Sequence, residues 1–210
     1  ASANHPHHAA TTRWSRHFSD FDEMAQHISA WDVRYEQLSC GAFQADIAMS
    51  ASPRLQILSL EWNRALSNVG AAPKGRRSFA FPIGRRMPFR FSGLTANHSA
   101  VMTARGGNEF HLVTEGQFDF VIATFDLAMV DDLVRARFGG DERRLDQPRL
   151  VSAHSAAAMA AAAQALDALG HALASATTDG AARLERQAAD IVLSALSPPP
   201  STSPVTPRRR

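Results

Sequence analysis

Glu109 and His111 stand two residues apart, so in a strand both side chains point to one face. A carboxylate and an imidazole on one face are two of the ligands a metal centre uses. The sequence around them supplies no more: neither His111 nor His98 has a second histidine two positions away. A hydrogen-bonded or exposed histidine is the expected role for both, and no metal is expected. His5, His7 and His8 can bind a metal adventitiously, but they belong to a polar stretch that reads as a tail. Cys40 precedes Gly41 at a turn. A nucleophilic cysteine needs a base and an electropositive setting, and the expected role here is a small apolar filler near a strand end. There is neither a Gly-x-Ser-x-Gly elbow nor a Gly-x-x-x-x-Gly-Lys-Ser/Thr phosphate loop. Gly106-Gly107 between two strands reads as a hairpin turn. The chain is therefore not expected to be an enzyme or to carry a cofactor.

Two further clusters can bind rather than catalyse. Arg76-Arg77 and Arg85-Arg86 bracket a strand from Ser78 to Ile83. Four arginines there can hold an anion or a DNA phosphate, but a solvated edge strand that resists edge-to-edge pairing is the favoured explanation. Trp62, Phe79, Phe81, Phe89 and Phe91 are aromatic, with 79 and 81 on one strand face and 89 and 91 on another. Trp62, Phe79, Phe81 and Phe91 are the candidate contacts for a small organic ligand inside a β-structure, set against an ordinary core.

The elements that must position these residues follow from periodicity. Ser19 opens a Ser-x-x-Asp pattern with Asp20, Asp22 and Glu23 at the positive end of a helix, and Phe21, Met24, Ala25 and Ile28 predict a short helix ending near Ala30. Period two then takes over. Trp31 to Gln37, Phe43 to Met49, Leu55 to Leu60, Ser78 to Ile83, Pro88 to Phe91, Ser99 to Thr103, Glu109 to Val113 and Phe118 to Phe125 read as strands. No helical crossovers separate them, which predicts an antiparallel sandwich or barrel. From Asp126 the period is helical again, through Leu127, Val130, Leu133, Val134 and Phe138 to Gly139-Gly140. Met159, Leu166 and Leu173 recur at heptad spacing, with Ala162 and Leu169 between, on an alanine-rich helix. That seam, Met159, Leu166, Leu169 and Leu173, is the candidate dimer contact. Thr177 to Gly180 breaks the helix, with Asp179 as the expected N-cap of the next.

The fold class is thus α+β: an antiparallel β-barrel or sandwich followed by a C-terminal helical hairpin. The domain reading is a tail over 1–17, a β domain over 18–140, a hairpin over 149–196 and a proline-rich linker over 197–210. The linker, SPPPSTSPVTPRRR, holds five prolines and no apolar run. A linker joins things, so a further domain is expected beyond it.

Composition agrees with a folded module. Hydrophobic residues are 45% of the 210, and 22 basic side chains against 20 acidic ones leave +2. That balance is too slight to identify a nucleic-acid binder by itself. Only Lys74 among the basic residues is lysine, and Cys40 is the single cysteine, so no internal disulfide forms. No apolar run reaches membrane-spanning length. A cytoplasmic protein without membrane contact is expected.

The order of motifs adds a resemblance. Phe18-Ser19-Asp20-Phe21-Asp22-Glu23, then Trp31-Asp32-Val33-Arg34-Tyr35-Glu36-Gln37-Leu38-Ser39, then Gly41-x-Phe43 resemble the start of AraC/XylS-type transcriptional regulators. They are most similar to the branch that holds ethanolamine-utilisation regulators. Glu61-Trp62-Asn63-Arg64, Ser78-Phe79, Arg105-Gly106-x-x-Glu109-Phe110 and Gly116-x-Phe118-Asp119 continue it, so it spans most of 18–140. The resemblance implies a cupin-like sensor domain for a small-molecule effector, helices that form a homodimer, and DNA contact only through a C-terminal helix-turn-helix domain absent from these residues. A cupin-type metal enzyme and a ligand-free dimerisation module are the alternatives.

Overall fold

Alternating apolar residues in the first two-thirds of the chain build strands, and the later 3.6-residue stripes build helices. A computed structural model describes residues 11–83, 88–96, 99–138 and 146–196. In chain order the elements are β1 (Thr12–Phe18), α1 (Phe21–His27), β2 (Asp32–Gln37), β3 (Ala45–Ala51), β4 (Leu55–Trp62), β5 (Leu66–Ala71), β6 (Arg76–Ile83), β7 (Phe89–Phe91), β8 (Leu94–Thr95), β9 (Ala100–Arg105), β10 (Glu109–Thr114), β11 (Phe118–Asp126), α2 (Leu127–Phe138), β12 (Arg149–Ser152), α3 (Ala156–Leu173) and α4 (Thr178–Ala195). A seven-stranded sheet runs β1-β3-β4-β11-β6-β9-β12, and a five-stranded sheet runs β2-β5-β10-β7-β8. The recorded pairings are antiparallel. The predicted α+β class holds, as an antiparallel sandwich of two sheets rather than a closed barrel.

The larger sheet is apolar on both faces. Leu58, Leu60 and Trp62 of β4, with Phe118, Phe120 and Ile122 of β11, face the smaller sheet. The alternate residues Leu55, Ile57, Val121, Ala123 and Phe125 face the helices. Two cores result, one between the sheets and one beneath α3 and α4. Helix α3 buries Met159, Ala162, Ala163, Leu166, Leu169, Gly170 and Leu173. At Gly170 a Cβ would meet Ile57 Cγ2 at 3.3 Å, so glycine lets the helix sit low on the sheet. Helix α4 buries mostly alanines and Val192, plus Glu185, whose carboxylate accepts from Ser52 Oγ at 2.6 Å and Arg54 N–H at 3.3 Å. That buried carboxylate pins α4 to the β3–β4 turn. None of the described helices is long and apolar enough to cross a membrane.

Several expectations change. The stretch expected as tail is strand from Thr12, because its backbone pairs with β3 in register, Trp14 opposite Met49 and Phe18 opposite Ala45. The cap of α1 is Asp20 rather than Ser19: its carboxylate accepts from the N–H groups of Asp22 and Glu23, and the helix stops at His27. Thr177, not Asp179, caps α4 by accepting from the Gly180 N–H, and Asp179 sits in the first turn, where its charge suits the dipole. Strand β5 escapes the period-two reading because Leu66, Asn68 and Gly70 are its inward residues, a polar group and a bare backbone among them. Strand β12 lies inside the span expected as hairpin and is held by pairing with β9. Cys40 is exposed, not a buried filler. Gly106-Gly107 turns the chain but forms no hairpin: β9 and β10 lie in different sheets, and the turn carries the chain from one to the other, with Gly107 at φ +87° and a Cβ on Gly106 lying 1.9 Å from the Pro73 carbonyl oxygen. The tail histidines, His98, Gly139-Gly140 and the linker lie outside the described residues.

Leu166 is wholly enclosed, whereas Leu133 on α2 is 42% exposed. In urea unfolding, Leu166→Ala should cost about 3 kcal/mol, while Leu133→Ala should stay within about 0.5 kcal/mol of the parent.

Candidate ligand site between the sheets

Across the inner face of the smaller sheet runs one row of directly opposed residues: Phe91 on β7, Leu112 on β10, Asn68 on β5 and Tyr35 on β2. Phe91 and Leu112 line a cavity of about 40 Å³. Trp31 and Phe110 close it on the same side, and Ala80, Met102, Ala104 and Ile122 form the wall from the larger sheet. Phe91 and Phe110 stack with centroids 5.8 Å apart, and Trp31 meets Phe110 edge-on at 6.2 Å. Polar groups nearby are mostly paired. The Trp31 indole N–H points at Gln56 Oε1 at 3.4 Å, and the Ser78 and Thr124 hydroxyls bond each other at 3.0 Å. Asn68, at 5% exposed, and Thr103, at 1%, differ: neither Asn68 Oδ1 nor Thr103 Oγ1 has a hydrogen-bond partner in the protein. Burial pushes the Tyr35 phenol well above its ordinary pKa, so it stays neutral.

The four sequence-predicted contacts do not converge. Phe91 lines the cavity. Trp62 shares the inner face but is fully packed in the core, its indole N–H donating to Thr114 Oγ1 at 3.2 Å and its ring against Tyr35 and Phe120. Phe79 and Phe81 face the other way, into the core under the helices. Strand β6 is buried on both faces, so alternation alone could not say which face its phenylalanines take. The cavity residues that sequence reading missed include Trp31, Met102, Phe110 and Leu112. Their alternation marks them as inward, but only the strand register shows that they converge. Met159, Leu166, Leu169 and Leu173 are all buried in this chain, against its own sheet and α4.

Glu109 and His111 point outward from the smaller sheet, away from the cavity, and His111 Nε2 lies 2.9 Å from Ser67 Oγ. Among the described residues no group of three His, Cys, Asp or Glu side chains is placed to hold a metal ion.

The arginine cluster also changes meaning. Strand β6 lies between β11 and β9, so it is not an edge. Arg77 is 2% exposed and meets Asp131 of α2 at 3.1 Å and Asp146 at 3.2 Å. Arg105 of β9 meets the same two carboxylates, at 3.5 and 2.8 Å. These ion pairs tie α2 and the approach to β12 onto the larger sheet. Arg76 donates to the Pro53 carbonyl at 2.8 Å, while Arg85 and Arg86 lie outside the described residues. Burial works to raise the Asp146 carboxyl, but the hydrogen bonds and charges of Arg105 and Arg77 outweigh it and hold the pKa below the ordinary value.

A second concavity, about 460 Å³, opens on the outer face of the larger sheet beside α3. Its wall is ionic. Asp167 accepts from Ser59 at 2.7 Å and His17 contacts Asp46 at 3.1 Å. Burial, then the charge of Glu61, raise the Asp119 pKa against a lowering backbone hydrogen bond.

An antiparallel sandwich carrying a helical hairpin on one outer face, with an apolar cavity between its sheets, is the class of protein defined here. No family model and no curated protein matches the sequence. Among solved structures, the AraC-like transcriptional activator CuxR matches at a TM-score of 0.62 and 14% identity, over 92% of this chain and 73% of that one. KdgF from Halomonas sp. reaches 0.32 at 10% identity, over 44% of this chain and 86% of that one. A predicted oxalate decarboxylase from Thermotoga maritima also reaches 0.32, at 12% identity over 45% and 94%. The first match shows a shared fold through sheets and hairpin together; the other two are too slight to carry an argument.

The Asp146 ion pairs should make stability fall in acid. A carboxylate held below its unfolded pKa, about 4, stabilises fully above that value and loses its contribution as pH drops through the lower folded pKa. Asp146→Asn should therefore lower the urea midpoint at pH 7, with the gap to the parent shrinking below about pH 4. A gap unchanged at pH 3 would show that these ion pairs do not carry the effect.

Proposed function

We propose that this chain is the effector-sensing and dimerisation region of an AraC-type transcriptional regulator, whose DNA contacts come from a helix-turn-helix domain outside these residues. The observation that carries this reading is the fold shared with an AraC-like activator over 92% of the chain, hairpin included. The effector is a small molecule seated between the sheets. The protein works in the cytoplasm and acts by binding rather than catalysis, a reading supported by the outward placement of Glu109 and His111.

The geometry supplies a route from effector to output. Ala80, Met102, Ala104 and Ile122 wall the cavity. They lie on β6, β9 and β11, whose opposite faces present Phe79, Phe81, Val101, Val121 and Ala123 to the helical layer. One sheet thickness separates effector from hairpin, and close packing transmits displacement across it. The coupling is bounded by the effector's differential affinity for the two hairpin placements. Since this chain's own core encloses Met159, Leu166, Leu169 and Leu173, a second copy meets other surfaces of the molecule.

Fusing the chain to a helix-turn-helix domain that occupies its operator only as a pair tests the dimerisation on which this reading depends. The fusion should repress a paired-operator reporter at least about tenfold more strongly than the unfused domain at equal protein level. Repression equal to the unfused domain, with a monomer mass in sedimentation, would reject the proposal.

A further inference from the structure

The helical face of the larger sheet carries two arginines side by side. Arg77 on β6 stands directly opposite Arg105 on β9, and Arg77 is 2% exposed. Like charges in that position repel, and a buried guanidinium without a counter-charge is costly. Asp131 of α2 and Asp146, just before β12, remove both costs. Each arginine meets both aspartates, so the four side chains close a ring. Of these four contacts, Arg105–Asp146 at 2.8 Å has the length of a tight charge-assisted bond, roughly 2.7–2.9 Å. The others, at 3.1, 3.2 and 3.5 Å, are looser. A small separation of the two strands breaks those first.

The ring sits next to the cavity wall along the chain. Ser78 follows Arg77, Ala104 precedes Arg105, and Ser78 stands directly opposite Ala104. Successive residues of a strand point to opposite faces. Ser78 and Ala104 therefore line the cavity, while the arginines grip the helical side. Any change that displaces the Ser78–Ala104 row moves the two backbones that aim the guanidinium groups. Beyond the ring, Asp131 belongs to α2 and Asp146 leads into β12. Strand β12 ends at Ser152, and Ser155 caps α3, so the ring stands at the entrance to the hairpin. The hairpin's other anchor is Glu185, held by Ser52 Oγ and the Arg54 N–H at the β3–β4 turn. In the strand order that turn lies on the far side of β11 from β6 and β9.

We infer that the ring of Arg77, Arg105, Asp131 and Asp146 is a latch: displacement of the Ser78–Ala104 row opens it and releases α2 and β12, while Glu185 keeps α4 seated. The hairpin then pivots about its Glu185 anchor. This rests on the reading of the sandwich as an effector-sensing module and names the element that carries its signal. The latch has two discrete arrangements rather than a graded one. Losing an aspartate leaves a buried arginine beside a like charge, so a partly opened ring is the least stable form.

Ala104→Val loads the cavity wall without any effector, because added methyl groups in a packed core push on the backbone. Amide hydrogen exchange is followed in the whole chain for the parent, Ala104→Val, Asp146→Asn and the double variant. Ala104→Val should speed exchange in α2 and β12 at least about fivefold, with α4 staying within about twofold of the parent. Asp146→Asn should give the same pattern. Adding Ala104→Val to it should change α2 and β12 by less than about twofold, since the latch is already open. Coupling is reciprocal, so Asp146→Asn should also shift the methyl NMR signals of Met102 and Ile122 inside the cavity. That measurement decides the matter even if Ala104→Val fails to fold. Parent-like exchange of α2 and β12 in Ala104→Val, equal acceleration of α4, full additivity in the double variant, or unmoved methyl signals would each overturn the inference. The two readings fail separately. A fusion that does not pair on its operator removes the regulatory proposal and leaves the coupling standing as a property of the sandwich. A latch that does not respond leaves a paired fusion untouched.

Discussion

A β-sheet apolar on both faces cannot leave either face in water, and the larger sheet of this protein is such a sheet. Leu58, Leu60 and Trp62 alternate with Leu55 and Ile57 along one strand, and Phe118, Phe120 and Ile122 alternate with Val121, Ala123 and Phe125 along its neighbour. Covering both faces requires two partners. The smaller sheet takes one face and the helical hairpin takes the other. Everything else in the fold follows from that double coverage, including the position of the cavity one sheet away from the helices. Each enclosed side chain contributes on the scale of a few kcal/mol, so neither cover can be lost cheaply.

Hydrophobic burial is non-directional, and polar contacts fix how the covers sit. Glu185 reaches from α4 to Ser52 Oγ and the Arg54 N–H at the β3–β4 turn. Arg77 and Arg105 hold Asp131 and Asp146, tying α2 and the approach to β12 onto the larger sheet. A buried charge pair is sensitive to the loss of either member. These contacts give the hairpin a defined seat, and a defined seat is what a change on the opposite face of the sheet can shift.

Much of the fold was legible from alternation and turn residues. The strands around Leu55 to Leu60 and Phe118 to Phe125 announce themselves, and Gly106-Gly107 turns where expected. What alternation could not assign was the face of a doubly buried strand. Phe79 and Phe81 have perfect period two, yet they point to the helices, while Ser78 and Ala80 face the cavity. The heptad of Met159, Leu166 and Leu173 similarly announces an apolar seam without naming its partner, which is this chain's own sheet and α4. Arg77 reads as surface from composition, because its carboxylate partners lie 54 and 69 positions away in the chain. Asn68 was hidden by its surroundings: Leu66, Asn68 and Gly70 do not look like the inward face of a strand.

Local sequence determined the antiparallel β class, the succession of strands before helices and the apolar seam on α3, because periodicity, glycine turns and helix propensity act over a few residues. Tertiary structure alone decided which face each buried strand turned to the cavity, which carboxylates met Arg77, and that Asn68 stood beside Leu112 with an unpaired oxygen. Those outcomes depend on strand register and on contacts between residues far apart in the chain, and a period of two is the same whichever face it serves.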